Sequence, residues 1–309
     1  MERKVIVIVG PTCSGKTKVS IDLATKLNTE IISADSRQIY KYLNIGTAKP
    51  SEKELKKIKH HFIDYLLPDQ DYNVSKYEYD ALEVIEKLFS ENKLPIVTGG
   101  SGLYVRALID GIFDAVDTDE EFRKEFNAKR EKFGNQYLYD ELKKVDPYSA
   151  SNMLPQNWKR VMRALEVYHL TGKPISEFQA EYKRNSNINF IQIGIEWPRE
   201  ILYSNINERV DKMINNGFLD EVKHILEMGY SKNINALNTV GYKELISYLE
   251  NEISFERAIE LIKRNTRRYA KRQFTWFRKD NRIKWIKVNS EERLEEIPDY
   301  IINYISNLK

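Results

Sequence analysis

Eight residues near the amino end, Gly10-Pro-Thr-Cys-Ser-Gly-Lys-Thr17, have the spacing G-x-x-x-x-G-K-[ST]. That pattern suits a polyphosphate. Glycines let backbone N–H groups turn inward onto an anion, and the N-terminus of a following helix adds positive potential. Lys16 neutralises phosphate charge, and Thr17 can hold Mg²⁺. The spacing leaves open a nucleotide, another diphosphate, or a glycine-rich turn with no ligand. Two absences weaken an ordinary NTPase switch: no apolar run ends in Asp-Glu, and Asn92-Lys-Leu is followed by Pro95 where a guanine-reading N-K-x-D needs aspartate. Cys13 occupies a variable loop position. A helix N-terminus can lower a thiol pKa, but no nucleophilic role is expected of it.

A carboxylate comes next. Asp35 closes the run Glu30-Ile-Ile-Ser-Ala-Asp35, and in a parallel sheet the carboxyl ends of the strands share one rim, which puts it beside the phosphate loop. It can take a proton from a nucleophile, bind Mg²⁺ through water, or cap the segment Ser36 to Tyr42. Ser101, in the turn Gly99-Gly-Ser-Gly102, reaches the same rim either as part of a tight turn or as a ligand contact. Arg209 borders the stripe Leu202, Ile206, Val210, Met213 and needs an anion, either a structural carboxylate or a bound diphosphate. Between Arg257 and Lys287 lie twelve basic residues against two acids. On a helix begun near Ser254, Arg264, Arg267, Arg268 and Lys271 share one face with Thr275. Ala258, Leu261, Ile262, Asn265, Tyr269 and Trp276 form a docking stripe. The basic face reads as a solvated surface or, beside a phosphate loop, as a seat for nucleic acid.

These residues need a scaffold. Val5 to Val9 is a β-branched run typical of a strand buried on both faces, and Val19, Leu23 and Leu27 place one apolar stripe on a helix from Lys16 to Leu27. Glu30 to Asp35 and Pro95 to Gly100 repeat the strand theme, giving a βαβ core. From Asp114 the chain turns acidic, Phe122 to Glu181 reads as charged helices, and polar Lys183 to Asn189 closes the stretch. Phe190 to Trp197 then returns to the sheet, and Arg282 to Val288 is the last strand. The expected class is α/β: a P-loop NTPase-like parallel sheet flanked by helices, with core 1–113 and 188–309 and a helical insertion 114–187. Composition agrees: 309 residues, 41% apolar and 31% charged, exclude disorder, collagen and coiled coil. Lys and Arg total 49 against 46 acids, so any affinity for a polyanion must come from local clustering. Cys13 is the single cysteine, so no internal disulfide or zinc site is expected and a reducing compartment is. With an initial apolar run of only five residues and no stretch near eighteen, a cytoplasmic protein without a membrane span is expected.

Together the phosphate loop, Ser33-Ala-Asp-Ser-Arg-Gln-Ile-Tyr40, Gly46-Thr-Ala-Lys-Pro50, His60-His-Phe-Ile-Asp64, Val97-Thr-Gly-Gly-Ser-Gly-Leu-Tyr104, Arg163-Ala-Leu-Glu166, Thr171-Gly-Lys-Pro174, Gly241-Tyr-Lys-Glu244 and Thr266-Arg-Arg-Tyr-Ala-Lys-Arg-Gln-Phe-Thr-Trp276 resemble the tRNA isopentenyltransferase family, nearly end to end. The resemblance implies transfer of a dimethylallyl group from its diphosphate to N6 of the adenine 3′ to the anticodon, with Mg²⁺. Gly10, Thr12, Cys13, Ser14, Gly15, Lys16 and Thr17 would hold the diphosphate, with Thr17 on the metal. Asp35 would be the base at N6. Ser36, Arg37 and Gln38 would meet the flipped adenine and its neighbour, while Ser101 and Arg209 would support the reacting groups. Arg123, Lys159, Arg160 and Arg163 would touch tRNA from the insertion. The partners implied are a tRNA anticodon stem-loop and dimethylallyl diphosphate, and a monomer of bacterial type is expected, since the eukaryotic zinc finger is absent. Two rivals share parts of the pattern: a P-loop nucleoside or nucleotide kinase, and a non-catalytic RNA-binding NTPase.

Overall fold

A computed structural model describes residues 3–112, 117–181 and 187–308. The first residues of the acidic stretch at 114–116, and 183–186 of the polar closing segment, lie outside the described residues. Six parallel strands form one sheet in the order β3-β2-β4-β1-β5-β6. They are β1 Lys4–Val9, β2 Ile31–Ser33, β3 His60–His61, β4 Ile96–Gly99, β5 Asn189–Glu196 and β6 Lys284–Lys287. Because side chains alternate along a strand, Val5, Val7 and Val9 enter the apolar layer on one face. Ile6 and Ile8 enter the layer on the other, so β1 is covered on both sides, as parallel sheets require. The sequence reading missed the edge strand β3, whose two residues carry no periodicity, and the closing helices Glu291–Glu295 and Ile297–Ser306.

The chain divides into two compact units, residues 1–109 with 187–309 and residues 110–186. The first holds the sheet. The second is helical and has its own core of Phe122, Leu138, Leu142, Val161, Ala164 and Leu165. Two of its cations are committed internally: the fully buried carboxylate of Glu166 receives Arg123 Nε at 2.7 Å and Arg163 Nη1 at 2.7 Å. Together they hold that carboxyl below its ordinary range against the opposing cost of burial.

In the first unit, the carboxyl ends of β1, β2, β4 and β5 face one edge, since all pair in parallel register with Val9 opposite Gly99 and Gly194, and Ser33 opposite Thr98. Gly99 permits this crowding, because a Cβ there would stand 2.1 Å from the Ala34 carbonyl oxygen. The basic helix runs over Phe255–Phe277, capped by the Ser254 hydroxyl, which accepts from the Arg257 N–H. Its buried stripe is Ala258, Ile262, Ala270, Gln273 and Phe277. This corrects the docking stripe expected from sequence: Trp276 is 42% exposed, packed over Gly102 on its inner edge, and a polar residue, Gln273, takes a core position instead.

Candidate active site

The phosphate loop leaves β1 at Gly10, whose φ is 149° and where a Cβ would stand only 2.9 Å from both the Ile195 carbonyl oxygen and Ser14 Oγ. Cys13 and Gly15 take left-handed conformations, φ 64° and 86°. The second lies against Leu294, which a Cβ on Gly15 would strike at 2.5 Å. Trp197 Nε1 donates to the Ser14 carbonyl at 3.1 Å from behind. The loop thus opens helix Lys16–Leu27 with no side-chain cap, leaving the free N–H groups of its first turn to an anion. Burial is the main cause lowering Lys16 to a pKa of about 8, with the Arg209 guanidinium acting in the same sense and Asp35 and Cys13 opposing. Lys16 Nζ donates to the Pro11 carbonyl at 2.6 Å. Burial pushes the Cys13 thiol up, consistent with an inert residue. Ser14 Oγ is buried and has no hydrogen-bond partner among the described residues.

Asp35 sits just beyond β2. Its Oδ1 accepts from the Arg37 N–H at 2.8 Å and the Gln38 N–H at 3.3 Å, so the capping alternative is realised on one oxygen, over a run of turns and not a helix. Oδ2 has no hydrogen-bond partner among the described residues. Asp35 lines a cavity of about 1100 Å³ together with Thr12 to Lys18 of the loop, Arg37, Gln38 and Arg209. Arg209, on the wall of this cavity, makes no ion pair among the described residues. Ser36 and Ser101 do not line this cavity. Ser101 Oγ accepts from the Ser36 N–H at 2.9 Å and bonds its hydroxyl at 3.1 Å, while the Ser101 N–H donates to Ala34 at 3.1 Å. Both serines therefore tie the β4 turn to the segment that carries Asp35.

Sequence reasoning missed three side chains that shape the cavity. Gln273 accepts from the Thr12 N–H at 2.8 Å and donates to the Gly100 carbonyl at 2.9 Å, so the Thr12 amide assigned to the diphosphate is already engaged. Glu221 receives the N–H groups of Asn44, Ile45 and Gly46 at 2.9, 2.7 and 3.1 Å and the Tyr242 hydroxyl at 2.6 Å. It sets the 44–48 loop, whose Thr47 and Ala48 carbonyls accept from Gln38 Nε2 at 3.1 and 3.0 Å. Lys49, nearly buried, bridges that loop to Asp64. The motifs around Gly46 and Gly241 gave a signal of glycine need: a Cβ at either would strike the Phe218 ring, at 2.2 and 2.7 Å.

The basic face differs from its expected form. Arg267 is half-buried and donates to Asn207 Oδ1 at 2.5 Å on helix Arg199–Asn215. Arg264 is also half-buried, whereas Arg268 and Lys271 are exposed. In the helical unit Lys159 and Arg160 are exposed. No helix among the described residues is long and apolar enough to cross a membrane.

This geometry has counterparts. The sequence model of the IPP transferase family matches residues 38–280. The loop and Asp35 precede that stretch and fall within the span covered by full-length relatives. The chain is 48% identical over 307 residues to the tRNA dimethylallyltransferase of Acetivibrio thermocellus, covering 99% of this chain and 96% of that protein. It is 45% identical to that of a Thermoanaerobacter species, covering 99% and 98%. Among solved structures, the tRNA isopentenylpyrophosphate transferase of Bacillus halodurans superposes with a TM-score of 0.71 at 39% identity, covering 98% of this chain and 96% of that one. A eukaryotic dimethylallyltransferase acting on tRNA gives 0.82 at 28% identity, covering 98% and 80%. The loop, the carboxylate rim and an end-to-end match of this strength make the chain a member of the IPP transferase family, the tRNA dimethylallyltransferases.

Proposed function

We propose that the cavity transfers a dimethylallyl group from dimethylallyl diphosphate to the exocyclic N6 of the adenine on the 3′ side of a tRNA anticodon, releasing diphosphate. The observation that carries this reading is the shared cavity, lined by the anion loop on one side and Asp35 on the other. Adenine N6 is a poor nucleophile because its lone pair is delocalised, and it becomes acidic as it bonds carbon. The free Oδ2 of Asp35 then receives the proton, which does not require a strong base. Cleavage of the allylic C–O bond throws negative charge onto diphosphate, where Lys16, Arg209 and the loop amides stabilise it. Arg37 and Gln38, both on the cavity wall, flank the adenine. A single-stranded anticodon loop lets that base leave its stack at a cost of a few kcal/mol.

Mg²⁺ fits the donor chemistry at this rim: Thr17 and Asp35 offer hard oxygens beside the anion loop. Among the described residues no cluster of three or more His, Cys, Asp or Glu exists to cage a metal, so the ion would depend on substrate oxygens. When bound it neutralises charge on the diphosphate. Exposed Arg268 and Lys271, with Lys159 and Arg160 of the helical unit, supply phosphate contacts to the anticodon stem-loop. The enzyme acts as a cytoplasmic monomer in this reading.

Asp35→Asn tests the assignment, because it keeps size and hydrogen bonding but removes the proton acceptor. Turnover should fall by about 10² to 10⁴, roughly 3 to 5 kcal/mol, with affinity for tRNA and dimethylallyl diphosphate changed far less. An Asn variant as fast as the parent removes Asp35 from the mechanism.

A further inference from the structure

Gln273 is a buried amide in a helix otherwise rich in charge, and both halves of that amide are used. Its carbonyl oxygen takes the Thr12 N–H of the phosphate loop and its NH₂ group reaches the Gly100 carbonyl at the end of β4. The second contact is close enough that a Cβ on Gly100 would stand 2.2 Å from Gln273 Nε2. From Gly100 the chain continues into Ser101, which holds Ala34 and Ser36 on either side of Asp35. A single side chain therefore joins the element that holds the leaving group to the element that carries the base, through two donor–acceptor pairs of opposite sense.

We propose that Gln273 is a positioning residue that fixes the distance between the bound diphosphate and Asp35, so that its loss slows group transfer without weakening diphosphate binding. This rests on the transfer reading above. The physical basis is that a transfer between two separately bound partners needs the reacting atoms within a narrow approach, and a displacement near 1 Å costs about 10²-fold in rate. The anion itself is held by the other loop amides, Lys16 and Arg209, which Gln273 does not touch.

The amide's two-sided bonding gives a specific test. In Gln273→Met both bonds vanish. In Gln273→Glu, an ionised carboxylate still accepts from Thr12 but repels the Gly100 carbonyl, while the protonated acid restores both bonds. Tyr269 of the same helix, with Lys16, Cys13, Asp35, Arg37, Arg209 and Arg272, lines the same cavity. These groups are common to parent and variants, so rates are read as variant over parent at each pH. The measurements are the single-turnover rate of transfer from saturating dimethylallyl diphosphate to saturating tRNA, the affinity for inorganic diphosphate, and amide hydrogen exchange of the segments 8–17 and 97–104. Gln273→Met should be slower by about ten- to a hundredfold with diphosphate affinity within about threefold, and the ratio should be flat in pH. Gln273→Glu should be similarly slow at pH 8.5 and recover at least tenfold towards pH 6. Exchange should quicken in both segments for Met and, at pH 8.5, in 97–104 alone for Glu.

A parent rate retained by Gln273→Met overturns the proposal. So does a Gln273→Glu defect that lies wholly in diphosphate affinity, or a Glu variant that shows no acid recovery. A parent that transfers nothing to tRNA overturns the transfer reading instead, and the exchange pattern then decides whether the two segments are joined by Gln273 at all.

Discussion

The phosphate loop with its carboxylate rim and the basic surfaces were both read from residue types, yet the two regions behave differently once folded. The loop's residues converge: Lys16, Thr17 and Asp35 line one cavity, because the phosphate loop and the turn carrying Asp35 both leave the carboxyl ends of strands in one parallel sheet. The cations scatter. Arg267 is tied to Asn207, and Arg123 and Arg163 serve a buried Glu166, whereas Arg268, Lys271, Lys159 and Arg160 stand exposed. Backbone geometry is written locally, since glycines and the flanking apolar run fix a strand–loop–helix whatever lies elsewhere. A charge's task depends on a partner that can be dozens of residues away, so a count of arginines does not say which of them reach solvent.

This contrast can be sharpened by breaking each region in turn. On the loop side, Lys16→Ala should lower kcat/KM for dimethylallyl diphosphate by about 10² to 10³ through lost charge stabilisation, with Thr17→Ala acting in the same direction. Lys16 also gives the parent a pH signature. Its lowered pKa of about 8 means that the free enzyme loses this charge as pH rises past that value, while bound diphosphate favours the protonated amine. Affinity for inorganic diphosphate should therefore fall above pH 8, by up to about tenfold per pH unit, with proton uptake on binding. Calorimetry in buffers of different ionisation enthalpy measures both. Absence of this dependence in Lys16→Ala completes the assignment, and its persistence there refutes it.

On the cation side, Glu166→Ala should destabilise the helical unit by about 2 to 4 kcal/mol, because it strands two guanidinium groups around a fully buried position. If Arg123 and Arg163 mainly serve tRNA, the variant would melt like the parent and bind tRNA more tightly. The smallest effect is expected on the basic helix. Arg268→Ala with Lys271→Ala should flatten the plot of log K for tRNA against log[salt] by about 0.7 to 0.9 per lost contact. The preference for a proper anticodon loop over a scrambled one should survive. Arg267→Ala, whose guanidinium is already engaged with Asn207, should leave the slope nearly unchanged.

Much of the fold was legible for the same reason the loop was. Val5 to Val9, Lys16 to Leu27 and Phe190 to Trp197 each declare their element through periodicity or unbroken β-branched runs, and each lies where it was placed. The strand His60–His61 could not be seen, being too short to show a period. Gln273 and Glu221 were illegible as site-shaping residues for a different reason. Gln273 looks like one polar residue on a charged helix until Thr12 and Gly100, 261 and 173 residues away, are brought against it. Glu221 looks like surface charge until Gly46, 175 residues away, turns its amide toward it. The residues proposed to do the chemistry stand in local sequence patterns; those proposed to hold it in register do not.

The central claim is that the loop and Asp35 serve one group transfer, from an isoprenoid diphosphate to a tRNA base. It is tested most directly by incubating the protein with unmodified tRNA, Mg²⁺ and dimethylallyl diphosphate, then digesting the RNA to nucleosides for mass analysis, beside a parallel reaction with γ-labelled ATP. The account predicts one N6-dimethylallyl adenosine per tRNA next to the anticodon, an equal amount of diphosphate released, and no label moved from ATP. Unaltered tRNA together with phosphoryl transfer from ATP would contradict it and make the loop that of a kinase.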